Sequence, residues 1–198
     1  MKLFKTLIVC LTLFCSAGAF GQGRNVPTHY CDELVRMAQH GNPRAQFNLG
    51  TYLIEGSGVA RDTRTGIEWI RKSAENGFVD GMYMMGKYYA DGIVVPRNNG
   101  ESFKWYLKAA ENGDGEAQHI VGFKYANGDG VPKNNDSAFY WIMQAARQGL
   151  PGALRDAGIC YLQGIGTAKN IDEARKYLRA AAQQGDPDAR ELLNRIGN

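Results

Sequence analysis

What this chain lacks narrows its chemistry before any pattern is sought. No Cys-x-x-Cys or His-Glu-x-x-His spacing occurs, and His29, His40 and His119 are its three histidines. The ligand sets of common zinc sites and metalloproteases are therefore missing, and no metal or other cofactor is expected. Charge of one sign is also lacking. The formal net charge is +3, but without Lys2 and Lys5 there are 21 Lys+Arg against 20 Asp+Glu. That balance argues against a nucleic-acid partner or an anionic membrane surface held by bulk charge. Apolar runs are short; Leu7–Phe14 falls well below the roughly 20 residues that span a bilayer. Composition is otherwise that of a soluble globular chain, 44% hydrophobic and 22% charged, and 198 residues suit one domain.

The first residues read MKLFKTLIVCLTLFCSAGAF. Two lysines, an apolar run and the small residues Ala17 and Ala19 follow the order of a secretory signal peptide, residues 1–19, cut after Ala19. The expected location is the bacterial periplasm or the exterior, with no membrane insertion once the signal is removed. Residues 20–27 form a loose leader. Cys10 and Cys15 leave with the signal, so Cys31 and Cys160 remain. Their places in the register described below put them beyond the roughly 7 Å Cα separation that a disulfide allows, and no bridge between them is expected.

What is present is a period. Gly41, Gly77, Gly113, Gly149 and Gly185 are 36 residues apart, and so are Gly56, Gly92, Gly128 and Gly164. Trp69, Trp105, Trp141 and Tyr177 keep the same step, as do Ser73-Ala74, Ala109-Ala110, Ala145-Ala146 and Ala181-Ala182. Self-similarity at such a period signals a solenoid whose units bury apolar surface against their neighbours. The expected organisation is a half repeat at 28–41, four helix-pair repeats (about 42–76, 77–112, 113–148 and 149–184) and a half repeat at 185–198.

Each repeat has one anatomy. A first helix opens after a turn, where Asn42-Pro43 and Asp186-Pro187 place a capping side chain ahead of a proline. Ala45, Leu49, Gly50 and Leu53 mark its buried face, repeated as Gly81, Met85, Gly86 and Tyr89, then Ala117, Val121, Gly122 and Tyr125. It stops at Gly56 and that glycine's copies. A short loop leads to Asp62, Asn98, Asn134 or Asn170, each placed to cap a second helix. Gly-x-Gly loops recurring at the repeat period are turns rather than phosphate cradles, which are singular and follow a strand.

Ala110, Gly113, Ala117, Val121-Gly122, Tyr125, Gly128, Gly130-Val131, Asn134, Ala138, Trp141 and Ala145-Ala146 together spell a pattern that resembles the Sel-one-like repeat (SLR), a relative of the tetratricopeptide repeat. The match runs over roughly 36–189. Val94 departs from it at the second loop glycine, and Gly66 and Ser102 at the second-helix alanine. The resemblance implies an all-α fold, a right-handed α/α superhelical solenoid of antiparallel helix pairs with about ten helices.

A helical wheel sets positions 44, 47, 48, 51 and 55 opposite the buried face of the first helix. Unlike the core positions, these vary from copy to copy. The resemblance implies that first helices line a concave surface, so partner-binding candidates are Phe47, Tyr83, Met84, Lys87, Glu116, His119, Ile120, Phe123 and Arg155. Apolar residues with a charged rim suit a protein partner. The expected function is that of an exported, non-catalytic protein-interaction module. The resemblance offers two roles for it: an envelope adaptor holding a client, or an immunity protein neutralising a cognate toxic enzyme. A β-lactam- or cell-wall-directed hydrolase, or a peptidoglycan-binding protein, is the alternative. Cysteine-rich members associated with β-lactams carry a cysteine pair per repeat, which this chain lacks, and it has no Ser-x-x-Lys.

Overall fold

The computed structural model describes residues 28–197, so the signal-peptide and leader assignments lie outside the described residues, as does the side chain of Cys31. Ten helices and no strand are found among the described residues. They are α1 (Thr28–Gln39), α2 (Pro43–Glu55), α3 (Thr63–Glu75), α4 (Val79–Asp91), α5 (Asn99–Glu111), α6 (Gly115–Asn127), α7 (Asn135–Arg147), α8 (Pro151–Gln163), α9 (Ile171–Gln183) and α10 (Pro187–Ile196). The chain forms two compact units, the first ending at Pro96 and the second beginning at Arg97. The first contains α1–α4 and the second α5–α10. Within each unit consecutive helices pack on one another as hairpins, giving the α/α repeat architecture expected from the period.

The local signals act as their chemistry requires. Asp62, Asn98, Asn134 and Asn170 each accept a hydrogen bond from a backbone N–H in the first turn of a second helix. Gly56, Gly92, Gly128 and Gly164 close the first helices at φ between 70° and 78°, a left-handed backbone that side chains resist. At 13 residues or fewer, no helix is long enough to hold itself in water, so interhelix packing carries the fold.

The two helices of a pair come close because the positions facing each other are small. A Cβ added to Gly50 would lie 2.7 Å from the Gly66 carbonyl oxygen, and one added to Gly66 2.6 Å from Ile54 Cγ1. In the first unit Leu34, Ala38, Ala45, Leu49, Leu53 and Trp69 make a continuous core. In the second, Ile142, Leu154, Cys160, Leu178 and Leu193 are joined through a lattice of alanines. Trp69 and Trp105 are buried, with Lys72 and Lys108 lying over their rings at 4.4 and 4.1 Å.

A second period underlies the first. Asn42, Asp114 and Asp186 cap α2, α6 and α10 through their side chains, whereas Phe78 and Leu150 precede α4 and α8 without a side-chain cap. One turn further on, Gln46 Nε2 donates to the Ala38 carbonyl at 3.0 Å, and Gln118 Nε2 to that of Ala110 at 3.1 Å. Each glutamine then accepts through Oε1, from Asn76 and Gln148 respectively. Met82 and Leu154 hold the intervening copies of that position and are buried apolar residues. The junctions between repeats therefore alternate between polar and apolar with a step of 72 residues.

Candidate functional site

The nine candidate residues divide between the units. In the first unit Phe47, Tyr83 and Met84 are half-buried and Lys87 is exposed. Phe47 tilts against Phe78 with ring centroids 5.3 Å apart, so part of its apolar surface is spent on packing. In the second unit Glu116 is exposed, while His119, Ile120 and Arg155 are half-buried. Phe123 is 62% exposed, and of the apolar candidates it alone projects freely into solvent. Its position is filled by Thr51, Lys87 and Ile159 in the other repeats, so the fold asks for no aromatic ring there.

One turn from Phe123 lies a charged network that wheel geometry did not reveal. His119 of α6 faces Asp156 of α8 with Nε2 and Oδ2 2.7 Å apart. A carboxylate only accepts, so Nε2 carries the hydrogen and donates. Gly152 makes room: a Cβ there would sit 3.1 Å from His119 Cε1. Arg155 donates from Nε to Asp156 at 3.1 Å and from Nη1 to Asp186 at 3.1 Å and Asp188 at 3.4 Å. Burial works against the guanidinium's charge, but the three carboxylates outweigh it and raise the pKa above the ordinary arginine value. Arg155 is thus a hub joining α8 to the start of α10, and not a free rim cation. The signal for it was available: Asp188 repeats the register of Glu116, and Asp186 repeats that of the capping Asn42.

One turn beyond Asp156, Cys160 is a free, buried thiol whose pKa is pushed up to about 11 by burial and by the Asp156 carboxylate. It is protonated at neutral pH and supplies no thiolate to the His119–Asp156 pair. No cluster of three or more His, Cys, Asp or Glu side chains suited to a metal occurs among the described residues. His40, just past the end of α1, is exposed and hydrogen-bonds through Nδ1 to the Arg36 carbonyl. What the surface offers is an exposed aromatic side chain beside charged groups already fixed in place.

The sequence matches the family model of the Sel1 repeat four times, at residues 43–78, 79–114, 115–150 and 151–186. The chain belongs to the Sel1 repeat family. This Sel1 repeat chain is 30% identical to a protective antigen of uropathogenic Escherichia coli that displays an SLR fold, with a TM-score of 0.77 over 83% of this chain and 35% of that one. It is 29% identical to a Sel1 repeat protein from Oxalobacter formigenes, with a TM-score of 0.77 over 94% of this chain and 54% of that one. The chain therefore spans about a third and about half the length of these two structures. Among curated proteins none matches it. No helix among the described residues is long and apolar enough to cross a membrane.

Proposed function

We propose that this Sel1 repeat chain is an exported protein-interaction module that takes a partner on the outward stripe of its first helices. It would act without covalent chemistry, as an envelope adaptor or as an immunity protein that blocks a toxic enzyme. A repeat scaffold with a constant core and a variable outward stripe supports this reading. The single observation that carries it is Phe123, an aromatic side chain held in water at a position the repeat leaves free, next to the preset Arg155–Asp156–His119 network. Exposed aromatics flanked by ordered charges are what the central contacts of protein interfaces are made from.

The test is affinity capture from envelope extract by the mature protein, with Phe123→Asp and Lys87→Glu variants alongside. Both sites are exposed, so circular dichroism should show unchanged folding. One stoichiometric partner held by the wild type and lost with Phe123→Asp is the expected result, and the partner's identity separates adaptor from immunity protein. Equal capture by all three proteins would remove this stripe from the reading. Sedimentation with purified peptidoglycan and no protein capture would replace it with glycan binding.

A further inference from the structure

We infer that the partner presents a basic segment with an apolar anchor to the α6–α8–α10 face of the second unit. This rests on the proposed function and names the chemistry of the partner. Along this face the carboxylates of Glu116, Asp156, Asp188 and Glu191 outnumber the guanidiniums of Arg155 and Arg195. Both guanidiniums are engaged internally: Arg155 with Asp156, Asp186 and Asp188, and Arg195 with Glu191. His119 likewise spends its Nε2 hydrogen on Asp156. Arg155 therefore holds the face together, Arg195 pairs at the surface within α10, and the carboxylates of the face exceed its guanidiniums by two. Glu116 has no ion-pair partner among the described residues, and Asp188 keeps 69% of its side chain exposed.

Phe123 adds the second requirement. It projects at 62% exposure, one turn from His119 and about two turns from Glu116 on the same helix, beside the half-buried Ile120. A partner that only carried positive charge would leave this ring in water, and one that only carried apolar groups would desolvate Glu116 without a counter-charge. A segment with lysine or arginine next to a leucine- or aromatic-type side chain satisfies both. A second copy of this chain does not: two such faces pressed together would set carboxylate against carboxylate.

The experiment measures binding of a fluorescein-labelled amphipathic leucine–lysine peptide to the mature full chain by anisotropy. Leucine–glutamine and leucine–glutamate peptides of the same pattern serve as comparators. Preference for the lysine peptide is expected, weakening roughly tenfold as NaCl rises from about 0.05 to about 0.5 M, because these groups lie at the surface where salt screens them. Phe123→Ser should cost about thirtyfold, the loss typical of a central aromatic contact. Glu116→Gln with Asp188→Asn should remove most of the lysine preference, while Asp136→Asn with Asp172→Asn, on the second helices, leaves it intact. Equal binding of the glutamine peptide, or a lysine preference that follows Asp136 and Asp172, would overturn the basic-segment assignment while leaving partner capture through Phe123 standing. Self-association of the chain abolished by Phe123→Ser would overturn it in favour of a second copy. Absence of peptide binding would overturn it outright, and the capture experiment would then decide separately on the stripe as a binding surface.

Discussion

Two residues show how the same register position can carry different liabilities. Ser102 occupies the place held by Ala138 and Ala174, and its Oγ is buried with no hydrogen-bond partner. A buried hydroxyl left unpaired costs free energy that an alanine methyl does not, and alanine is also the better helix former. Ser102→Ala should stabilise the protein by about 1 kcal/mol. Calorimetry should find Tm raised by about 2–4 °C, and a lowered Tm would mean the hydroxyl is satisfied in solution. Asp62 is the one acidic cap where the other second helices use asparagine. Hydrogen bonds from the Thr65 side chain, and then from its backbone N–H, favour the carboxylate and hold its pKa below 3.8. A depressed folded pKa gives stability that is present above the unfolded value and is lost as pH falls through the folded one. Asp62→Asn keeps a cap of similar strength without that titration. The stability gap between wild type and variant should therefore be constant from neutral pH down to about 4 and shift against the wild type below it, read from Tm at each pH.

At the scale of helices, the 36-residue step made the elements legible: every second-helix cap, every first-helix glycine stop and the buried Leu49–Leu53 and Val121 positions stand where the period put them. The 72-residue step was equally present in Gln46 and Gln118, but polar residues on a helix face read as solvated until a neighbouring carbonyl is seen within reach. The outward stripe was legible only in part. A wheel treats a helix as an isolated cylinder, whereas in the second unit α6 and α8 meet across the flank of the stripe. His119 meets Asp156 across that contact, and Ile120 is half-buried beside it. Departures from the pattern become intelligible once the packing is known. A Cβ on Gly66, where the pattern has alanine, would meet Ile54 Cγ1 at 2.6 Å and the Gly50 carbonyl oxygen at 2.7 Å, although Leu162 at the register of Ile54 leaves room for Ala174. Gly66→Ala should cost about 1–3 kcal/mol through overpacking, although alanine favours the helix. Ile54→Ala in the same background should return part of it, a coupling measurable by a double-mutant cycle in urea; strict additivity would show that the clash with the Gly50 carbonyl sets the whole cost.

On the scale of the molecule, stability in a repeat stack is the sum of each unit's own contribution and its contact with the next, so the terminal element decides how the outermost pair fares. In the second unit α10 lays Ala189 and Leu193 onto the core that contains Ala181 and Leu178. Its start also supplies Asp186 and Asp188 to Arg155. Truncation after Gly185 removes both contributions, and they can be separated. Asp186→Asn with Asp188→Asn retains a capping side chain and the apolar contacts while removing the charges. The truncated chain should lose about 2–5 kcal/mol, as expected for stripping a buried leucine and its neighbours from a packed core. Amide protection should fall first in α9, the helix against which α10 packs. The asparagine pair should lose appreciably less, because its damage is confined to the half-exposed Arg155. If the asparagine pair proved as damaging as truncation, the Arg155 hub rather than apolar burial would be what seats α10. Neutralising that hub's carboxylates would then alter the shape of the proposed binding face as well as its charge.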